Sequence, residues 1–315
     1  MPCLIGFSGQ GLQHAHMFKC LQTDASGLAW MQEASHRLDR DLLNDKVVGD
    51  LCHDVLYAQL FIVLLSVGLF RCIESALGAD SLLCGYSVGE VAAFGASTHL
   101  SMDVLIEVIK ARVKAMQDAI HVASPRQSSG LVALKGRISF AQAQHIAQRC
   151  GCYMAIINAP DHFIVGGCDD ALEALMHEAL VAGVRTVRKL PIKLASHTPL
   201  LQAARAPFEA FLQKTVAQVP MKFPIINSIT GASCTSSQVM IPWLAKALSQ
   251  TLHWDRVMRL APEFRVHTFL ELGPGGHLKA MYPHDDSRVR VYGTEDFQSI
   301  HALRQLLAQR MNWRD

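Results

Sequence analysis

The segment Gly85-Tyr86-Ser87-Val88-Gly89-Glu90 constrains the fold of this chain more than any other part of it. It has the pattern G-x-S-x-G, follows a short apolar run at 81–84 and precedes small, helix-favouring residues at 90–96. The two glycines predict a sharp strand-to-helix turn, because they leave out side chains where backbone segments must come close. Such a turn exposes the Ser87 hydroxyl beside the Val88 N–H and a helix N-terminus. This geometry favours a serine nucleophile; the alternative is a glycine-rich turn with an incidental serine.

The composition predicts a folded chain with a large core and argues against several classes of protein. The chain has 315 residues, of which 50% are hydrophobic and 18% charged, enough for one large domain or a large domain with an insert. Its net charge is +2 and no Lys/Arg run with interleaved aromatics occurs, so we predict no nucleic-acid binding. The nine cysteines are scattered without a C-x-x-C pair. They predict neither a disulfide framework nor a metal site, and they favour a reduced, cytoplasmic compartment.

One stretch, Val55–Phe70, is apolar enough to suggest a membrane span. It is shorter than the ~20 apolar residues that a span needs, and it contains the polar residues Gln59 and Ser66. We therefore predict a helix buried in the protein core and no association with a membrane. The N-terminus also lacks the basic segment of a signal peptide.

The patterns of apolar and turn-forming residues predict an α/β protein in which a smaller domain interrupts a larger one. Residues 130–190 carry strand and helix patterns in the order β-α-β-β-α-β, which is typical of a ferredoxin-like arrangement. A polar, turn-rich stretch at 121–130 precedes this unit, and Pro191 closes it. We predict a large catalytic domain made of residues 1–126 and 192–315, and a small domain of residues 127–191. In the large domain, helices are predicted at about 28–45, 52–77, 101–120 and 241–249.

A serine nucleophile needs a positioned base, usually a histidine, and the chain has 15 histidines. His197 is the candidate, because it directly follows the inserted domain and clefts form at domain junctions. The alternative is a loop histidine that caps the following helix. Arg112 lies on the helix after the turn, at the edge of an apolar face. Its guanidinium either binds an anionic substrate through two hydrogen bonds or is an ordinary solvated side chain. The local sequence pattern alone favours the solvated side chain.

Five motifs, taken in order, resemble the malonyl-CoA:acyl-carrier-protein transacylase family. They are Gly9-Gln10-Gly11 with Gln13, the segment 85–90, Arg112 followed by Met116, Ser196-His197, and Glu271-Leu272-Gly273-Pro274-Gly275. The resemblance covers most of the chain, from the first strand to beyond the Gly-Pro-Gly turn. It implies a hydrolase-like large domain with a parallel sheet and an inserted ferredoxin-like small domain.

The resemblance also implies the catalytic chemistry. It implies that Ser87 carries the acyl group as an ester and that His197 is the general base and acid. A backbone carbonyl, near Ala247 by its position before Trp254, is expected to orient the histidine in place of an acidic third residue. No metal and no tightly bound cofactor are implied.

Substrate recognition follows from the same resemblance. The backbone N–H groups of Gln10 and Val88 are expected to form the oxyanion hole, and Arg112 to bind the free carboxylate of malonate. Malonyl-CoA is the implied substrate. The implied acceptor is the thiol of an acyl carrier protein, or of a carrier subunit with a phosphopantetheine-type arm.

Two departures from the family pattern refine this expectation. Tyr86 stands where the fatty-acid-synthesis members usually have histidine, and Ser8 stands where proline is usual before the glycine. The Tyr-Ser-Val-Gly-Glu form and the segment Thr294–Ile300 resemble the epsilon subunit of malonate decarboxylase. That resemblance implies a chain that loads malonate onto a carrier subunit bearing a dephospho-CoA-derived thiol, with the other decarboxylase subunits as further partners.

Three alternatives stay open. The first is a malonyl-CoA:acyl-carrier-protein transacylase of fatty-acid or polyketide synthesis. The second, from another class, is a serine esterase or thioesterase, which shares the turn but has no role for Arg112. The third is a non-catalytic scaffold, which has no need of Ser87, His197 and Arg112 together.

Overall fold

The structure is a computed structural model that describes residues 2–124, 127–283 and 288–311. Residues 125 and 126, where the first predicted domain boundary falls, lie outside the described residues. The strands are, in chain order, β1 (Cys3–Phe7), β2 (Leu82–Gly85), β3 (Ser129–Lys135), β4 (Tyr153–Ala159), β5 (His162–Cys168), β6 (Thr186–Lys189), β7 (Ile225–Ile226), β8 (Ser233–Cys234), β9 (Leu252–His253), β10 (Thr268–Leu272) and β11 (Arg290–Gly293).

The helices pack around two sheets, so the predicted α/β class is confirmed. They are α1 (Ala25–Leu38), α2 (Asp45–Leu51), α3 (Val55–Ile73), α4 (Gly89–Ser97), α5 (Met102–Ala123), α6 (Phe140–Arg149), α7 (Asp169–Val181), α8 (Arg205–Val216), α9 (Ser237–Lys246), α10 (Trp254–Leu260), α11 (His277–Met281) and α12 (Ile300–Met311).

The larger sheet has six strands in the order β11-β10-β1-β2-β7-β8. All neighbours in it are parallel except β7 and β8. Strands β1 and β10 are buried along their whole length, as expected for a parallel sheet covered by helices. Phe7 at the end of β1 lies opposite both Gly85 and Leu272. The segments that follow β1, β2 and β10 therefore leave the sheet at one common edge.

Helix α3 lies in the core beside this sheet and contacts α1, α4, α5 and β10. By length and composition Val55–Ala76 could cross a membrane, but 83% of its most apolar window is buried inside the protein. This burial agrees with the predicted core helix.

The smaller sheet has five strands in the order β6-β3-β5-β4-β9. Its first four strands are antiparallel and occur with α6 and α7 in the predicted β-α-β-β-α-β order, consistent with a ferredoxin-like unit. Strand β9 comes from the returning segment and pairs in parallel with β4, which the sequence pattern does not predict. The exact domain limits, 1–126 with 192–315 and 127–191, stay a prediction.

The two faces of the smaller sheet pack against different partners. One face packs on α6 and α7 through a cluster that includes Phe163 and Leu172. The opposite face joins a second cluster, in which Leu131 and Ile164 pack with residues outside the smaller sheet such as Trp254. The space between the two sheets is therefore lined by both parts of the chain.

Two predicted helices have different limits in the structure. Helix α1 ends at Leu38, because Asp39 adopts a left-handed conformation with φ of 51°, and Asn44 caps the separate α2. Helix α9 begins before its predicted start and contains Pro242. Burial of Met240 and Ile241 offsets the backbone hydrogen bond that the proline cannot donate.

Candidate active site

The predicted sharp turn lies between β2 and α4. Ser87 has a φ of 58°, an unusual value for a residue with a side chain. A Cβ atom added to Gly85 would lie 2.2 Å from the Gly89 carbonyl oxygen, and one added to Gly89 would lie 2.1 Å from the Phe7 carbonyl oxygen. Only glycine fits at either position, since both contacts are with backbone that cannot move aside.

His197 reaches the serine from the segment that follows the smaller sheet. Its Nε2 lies 2.7 Å from Ser87 Oγ, and its Nδ1 lies 2.5 Å from the carbonyl oxygen of Ala247. The carbonyl can only accept, so Nδ1 carries the hydrogen and the Nε2 lone pair faces the serine hydroxyl. The expected position of the orienting carbonyl is confirmed. His197 makes no capping hydrogen bond to the helix after it, so the capping alternative is not supported.

The environment of His197 keeps the imidazole neutral. Burial lowers its pKa to about 3, against the opposite effect of the Ala247 hydrogen bond and with a contribution from the charge of Arg112. In the described parts of the chain no carboxylate accepts a hydrogen bond from this ring. A neutral imidazole held by a carbonyl can accept a proton from Ser87.

Arg112 is buried on α5, with 3% of its surface exposed, so the solvated side chain favoured by its local pattern is wrong. Its Nη1 donates a hydrogen bond to Gln59 Oε1, at 2.5 Å. Burial lowers the pKa of Arg112 to about 10, while the Glu90 carboxylate acts in the opposite direction. The guanidinium therefore stays charged at neutral pH, with donors left over for an anionic ligand.

Two buried polar residues around Arg112 were not predicted as part of the site. Gln59 projects from the apolar helix α3, and a lone amide in such a helix is a signal that could have identified it. Glu90 accepts hydrogen bonds from the backbone N–H and the hydroxyl of Ser228, both at 2.8 Å. Burial raises the pKa of Glu90 to about 7.

Gln10 and Val88 lie at the common edge of the larger sheet, after β1 and at the start of α4 respectively. Both line the same cleft as Ser87. Among residues 2–124, 127–283 and 288–311, no protein group accepts a hydrogen bond from either backbone N–H. Both groups are therefore available to an oxygen atom bound in the cleft.

A cleft lies between the two sheets. It brings together all five predicted site residues, Gln10, Ser87, Val88, Arg112 and His197. Its lining also includes Tyr86, His162, Arg188 and His277, which were not predicted as site residues. No group of three or more potential metal ligands occurs in the part of the chain that the structure describes.

The two departures from the family pattern both make buried hydrogen bonds. The Ser8 hydroxyl donates to Glu271 Oε1 at 2.7 Å, and the Lys279 N–H donates to Glu271 Oε2 at 2.8 Å. Ser8 therefore supplies a donor to a fully buried carboxylate, which proline could not do. The Tyr86 hydroxyl donates to Asn158 Oδ1 at 3.0 Å and so connects the turn to β4 of the smaller sheet.

A sequence model of the acyl transferase domain matches residues 6–284. The chain belongs to the acyl transferase domain family. It is an acyltransferase.

Curated relatives of this acyltransferase include enzymes of very different length. It is 23% identical to the malonyl CoA-acyl carrier protein transacylase of Buchnera aphidicola subsp. Schizaphis graminum, over 93% of this chain and 95% of that protein. It is 25% identical to the naringenin synthase of Pestalotiopsis fici over 82% of this chain, which corresponds to 9% of that much longer protein.

The fold of the acyltransferase matches solved structures over its whole length. The malonyl-CoA:acyl carrier protein transacylase from Helicobacter pylori superposes with a TM-score of 0.85 and 22% sequence identity. The match covers 99% of both chains. The α/β fold with its two-sheet arrangement is therefore that of known transacylases.

Proposed function

We propose that this acyltransferase moves a malonyl group from malonyl-CoA to the thiol of an acyl carrier protein, through a malonyl ester on Ser87. One observation carries the proposal: the buried cation of Arg112 lines the same cleft as the Ser87–His197 pair. A serine esterase needs the pair but not the buried cation. The transacylase names of the relatives from Buchnera aphidicola and Helicobacter pylori support the same substrates.

In the first half-reaction the malonate carboxylate binds Arg112, which places the thioester carbonyl beside Ser87. The serine oxygen attacks the carbonyl carbon while His197 Nε2 takes its proton. The oxyanion that forms accepts hydrogen bonds from the N–H groups of Gln10 and Val88. The intermediate then collapses, the carbon–sulfur bond breaks, and the CoA sulfur leaves as a thiol with the proton from His197.

In the second half-reaction the thiol of the carrier's phosphopantetheine-type arm enters the same cleft. His197 takes the thiol proton, and the sulfur attacks the ester carbonyl through a second oxyanion at the same site. Ser87 leaves with the proton, and the malonyl thioester of the carrier is released. Water must be kept from the ester between the two steps, because hydrolysis would compete with transfer.

Intact-mass spectrometry after a brief exposure to malonyl-CoA tests this proposal. We expect a malonyl adduct on the wild-type protein and none on Ser87→Ala, and we expect a holo acyl carrier protein to remove the adduct. Release of free malonate without an adduct and without transfer would instead identify a hydrolase. Absence of both adduct and turnover would contradict the proposal.

A second candidate function is the same malonyl transfer to the carrier subunit of malonate decarboxylase. Tyr86 and the segment Thr294–Ile300 favour it, because both resemble its epsilon subunit. The named relatives favour an acyl carrier protein as the acceptor. Transfer rates to a phosphopantetheine carrier and to a carrier with a dephospho-CoA-derived arm distinguish the two. A preference of tenfold or more for the second carrier would assign the chain to malonate decarboxylase.

A further inference from the structure

A buried polar chain runs from the nucleophile turn into the smaller sheet. The Tyr86 hydroxyl donates to Asn158 Oδ1 at 3.0 Å. The other end of that amide, Nδ2, lies 3.4 Å from Nε2 of His162. All three side chains are buried, and the exposed fraction of the His162 surface is 8%.

These hydrogen bonds determine which nitrogen of His162 carries hydrogen. Because the Tyr86 hydroxyl donates to Oδ1, the Asn158 amide presents its N–H₂ group to the imidazole. An N–H₂ group can only donate, so Nε2 of His162 must be the unprotonated nitrogen and Nδ1 carries the hydrogen. Burial, together with Lys135 and His277 and against the opposite effect of Asp161, lowers the pKa of His162 to about 4. The ring is therefore a neutral donor.

The position of His162 suggests what it binds. The ring lines the catalytic cleft, and in the described residues no protein atom accepts a hydrogen bond from its Nδ1. The neighbouring lining from β3 and β5 is apolar and includes Leu131, Ala133 and Ile164. A neutral donor beside apolar side chains suits a neutral acceptor such as an amide carbonyl. A phosphate group would be better served by the charged Arg188, which also lines the cleft.

Resting on the proposed function, we propose that His162 donates a hydrogen bond to an amide carbonyl of the substrate's pantetheine arm, and that Tyr86 positions it through Asn158. When the malonyl carboxylate binds Arg112, the thiol arm must leave the reacting carbonyl in another direction. The cleft lining from the smaller sheet offers that path. Pantetheine carries two secondary amides, and each presents one carbonyl acceptor.

The test compares malonyl thioesters of two thiols with the same chain length, N-acetylcysteamine, which has the amide, and pentanethiol, which lacks it. The readout is kcat/KM for formation of malonyl-Ser87. His162→Leu should lower kcat/KM about tenfold for the first thioester and leave the second unchanged, since one hydrogen bond to a neutral group is lost. His162→Gln keeps an N–H donor and should retain most of the rate. Tyr86→Phe should give a smaller loss confined to the amide-bearing thioester.

His145→Leu is the matched control, because His145 is an exposed histidine on α6 of the smaller domain, outside the catalytic cleft. It should change neither rate. Equal slowing of both thioesters by His162→Leu, or no change in either, would overturn the role of His162. If Tyr86→Phe slowed both thioesters equally, the positioning role of Tyr86 would be overturned.

A binding measurement separates this inference from the proposed function. Calorimetric titration of the Ser87→Ala protein with pantetheine needs no turnover, and adding His162→Leu should weaken binding about tenfold. If wild-type protein forms no malonyl ester while pantetheine still binds in a His162-dependent way, the malonyl-transfer proposal fails and this inference stands. Pantetheine binding that does not depend on His162 overturns the inference, whatever the outcome for transfer.

Discussion

Replacing Arg112 by alanine should change which acyl group the enzyme accepts. Malonyl and acetyl thioesters share the reacting carbonyl, but only malonyl has a second carboxylate for the guanidinium. The side chain is 3% exposed, so a carboxylate that pairs with it would be almost fully desolvated. We expect Arg112→Ala to slow malonyl transfer strongly and to leave acetyl transfer within a factor of about three.

The magnitude follows from the geometry. Hydrogen bonds to charged groups contribute about 1.5–3 kcal/mol, and truncating one partner of a buried charge pair costs about 2–5 kcal/mol. Both ranges include about 3 kcal/mol. A loss of that size would lower the ratio of malonyl to acetyl kcat/KM about 150-fold. The Gln59 amide and the Glu90 carboxylate also lose their cationic neighbour, so the melting temperature of the variant must be measured alongside.

The assay is rapid quenching after mixing with malonyl-CoA or acetyl-CoA, with acyl-Ser87 measured by intact mass. Lys110→Ala is the matched control, because Lys110 lies on the same helix and its Nζ pairs with Glu107 at the surface, at 2.9 Å. This control should leave the ratio unchanged. Equal slowing of both substrates in Arg112→Ala, with an unchanged ratio, would refute carboxylate recognition by Arg112.

Three further predictions concern the surroundings of the site. Gln59→Leu removes the hydrogen bond that holds the arginine, and should lower malonyl but not acetyl kcat/KM by about tenfold; equal losses would contradict this. Between about pH 6.5 and 4, His197 and His162 bind protons in the unfolded chain but not in the native one, because their native pKa values are about 3 and about 4. Glu90, whose native pKa is about 7, has the opposite effect. The free energy of unfolding of the wild type, measured by urea denaturation, should therefore decrease relative to that of His162→Gln as pH drops from about 6.5 toward 4. Gly89→Ala should destabilise the fold by more than about 3 kcal/mol, because its Cβ would lie 2.1 Å from a backbone oxygen. Gly293→Ala is its control, with a nearest contact of 3.6 Å, and similar melting temperatures for the two variants would refute the steric argument.

The sequence by itself determined the local features of this protein. The glycines at 85 and 89 require the sharp turn, because the conformational demand and the residues that meet it are neighbours in the chain. The apolar run within α3 likewise predicted a buried helix, and the apolar and turn patterns predicted the β-α-β-β-α-β order. Such features depend on a few adjacent residues and can be predicted without knowing what packs around them.

Only the tertiary structure decided which distant side chains meet. It brought Arg112 out of solvent and against Gln59, although the local pattern of α5 favoured a solvated arginine. It joined Tyr86 through Asn158 to His162, and it added β9 to the smaller sheet. These contacts depend on how sheets and helices from separate parts of the chain pack together. Neighbouring residues do not encode the burial, and hence the charge state, of a side chain at such a junction.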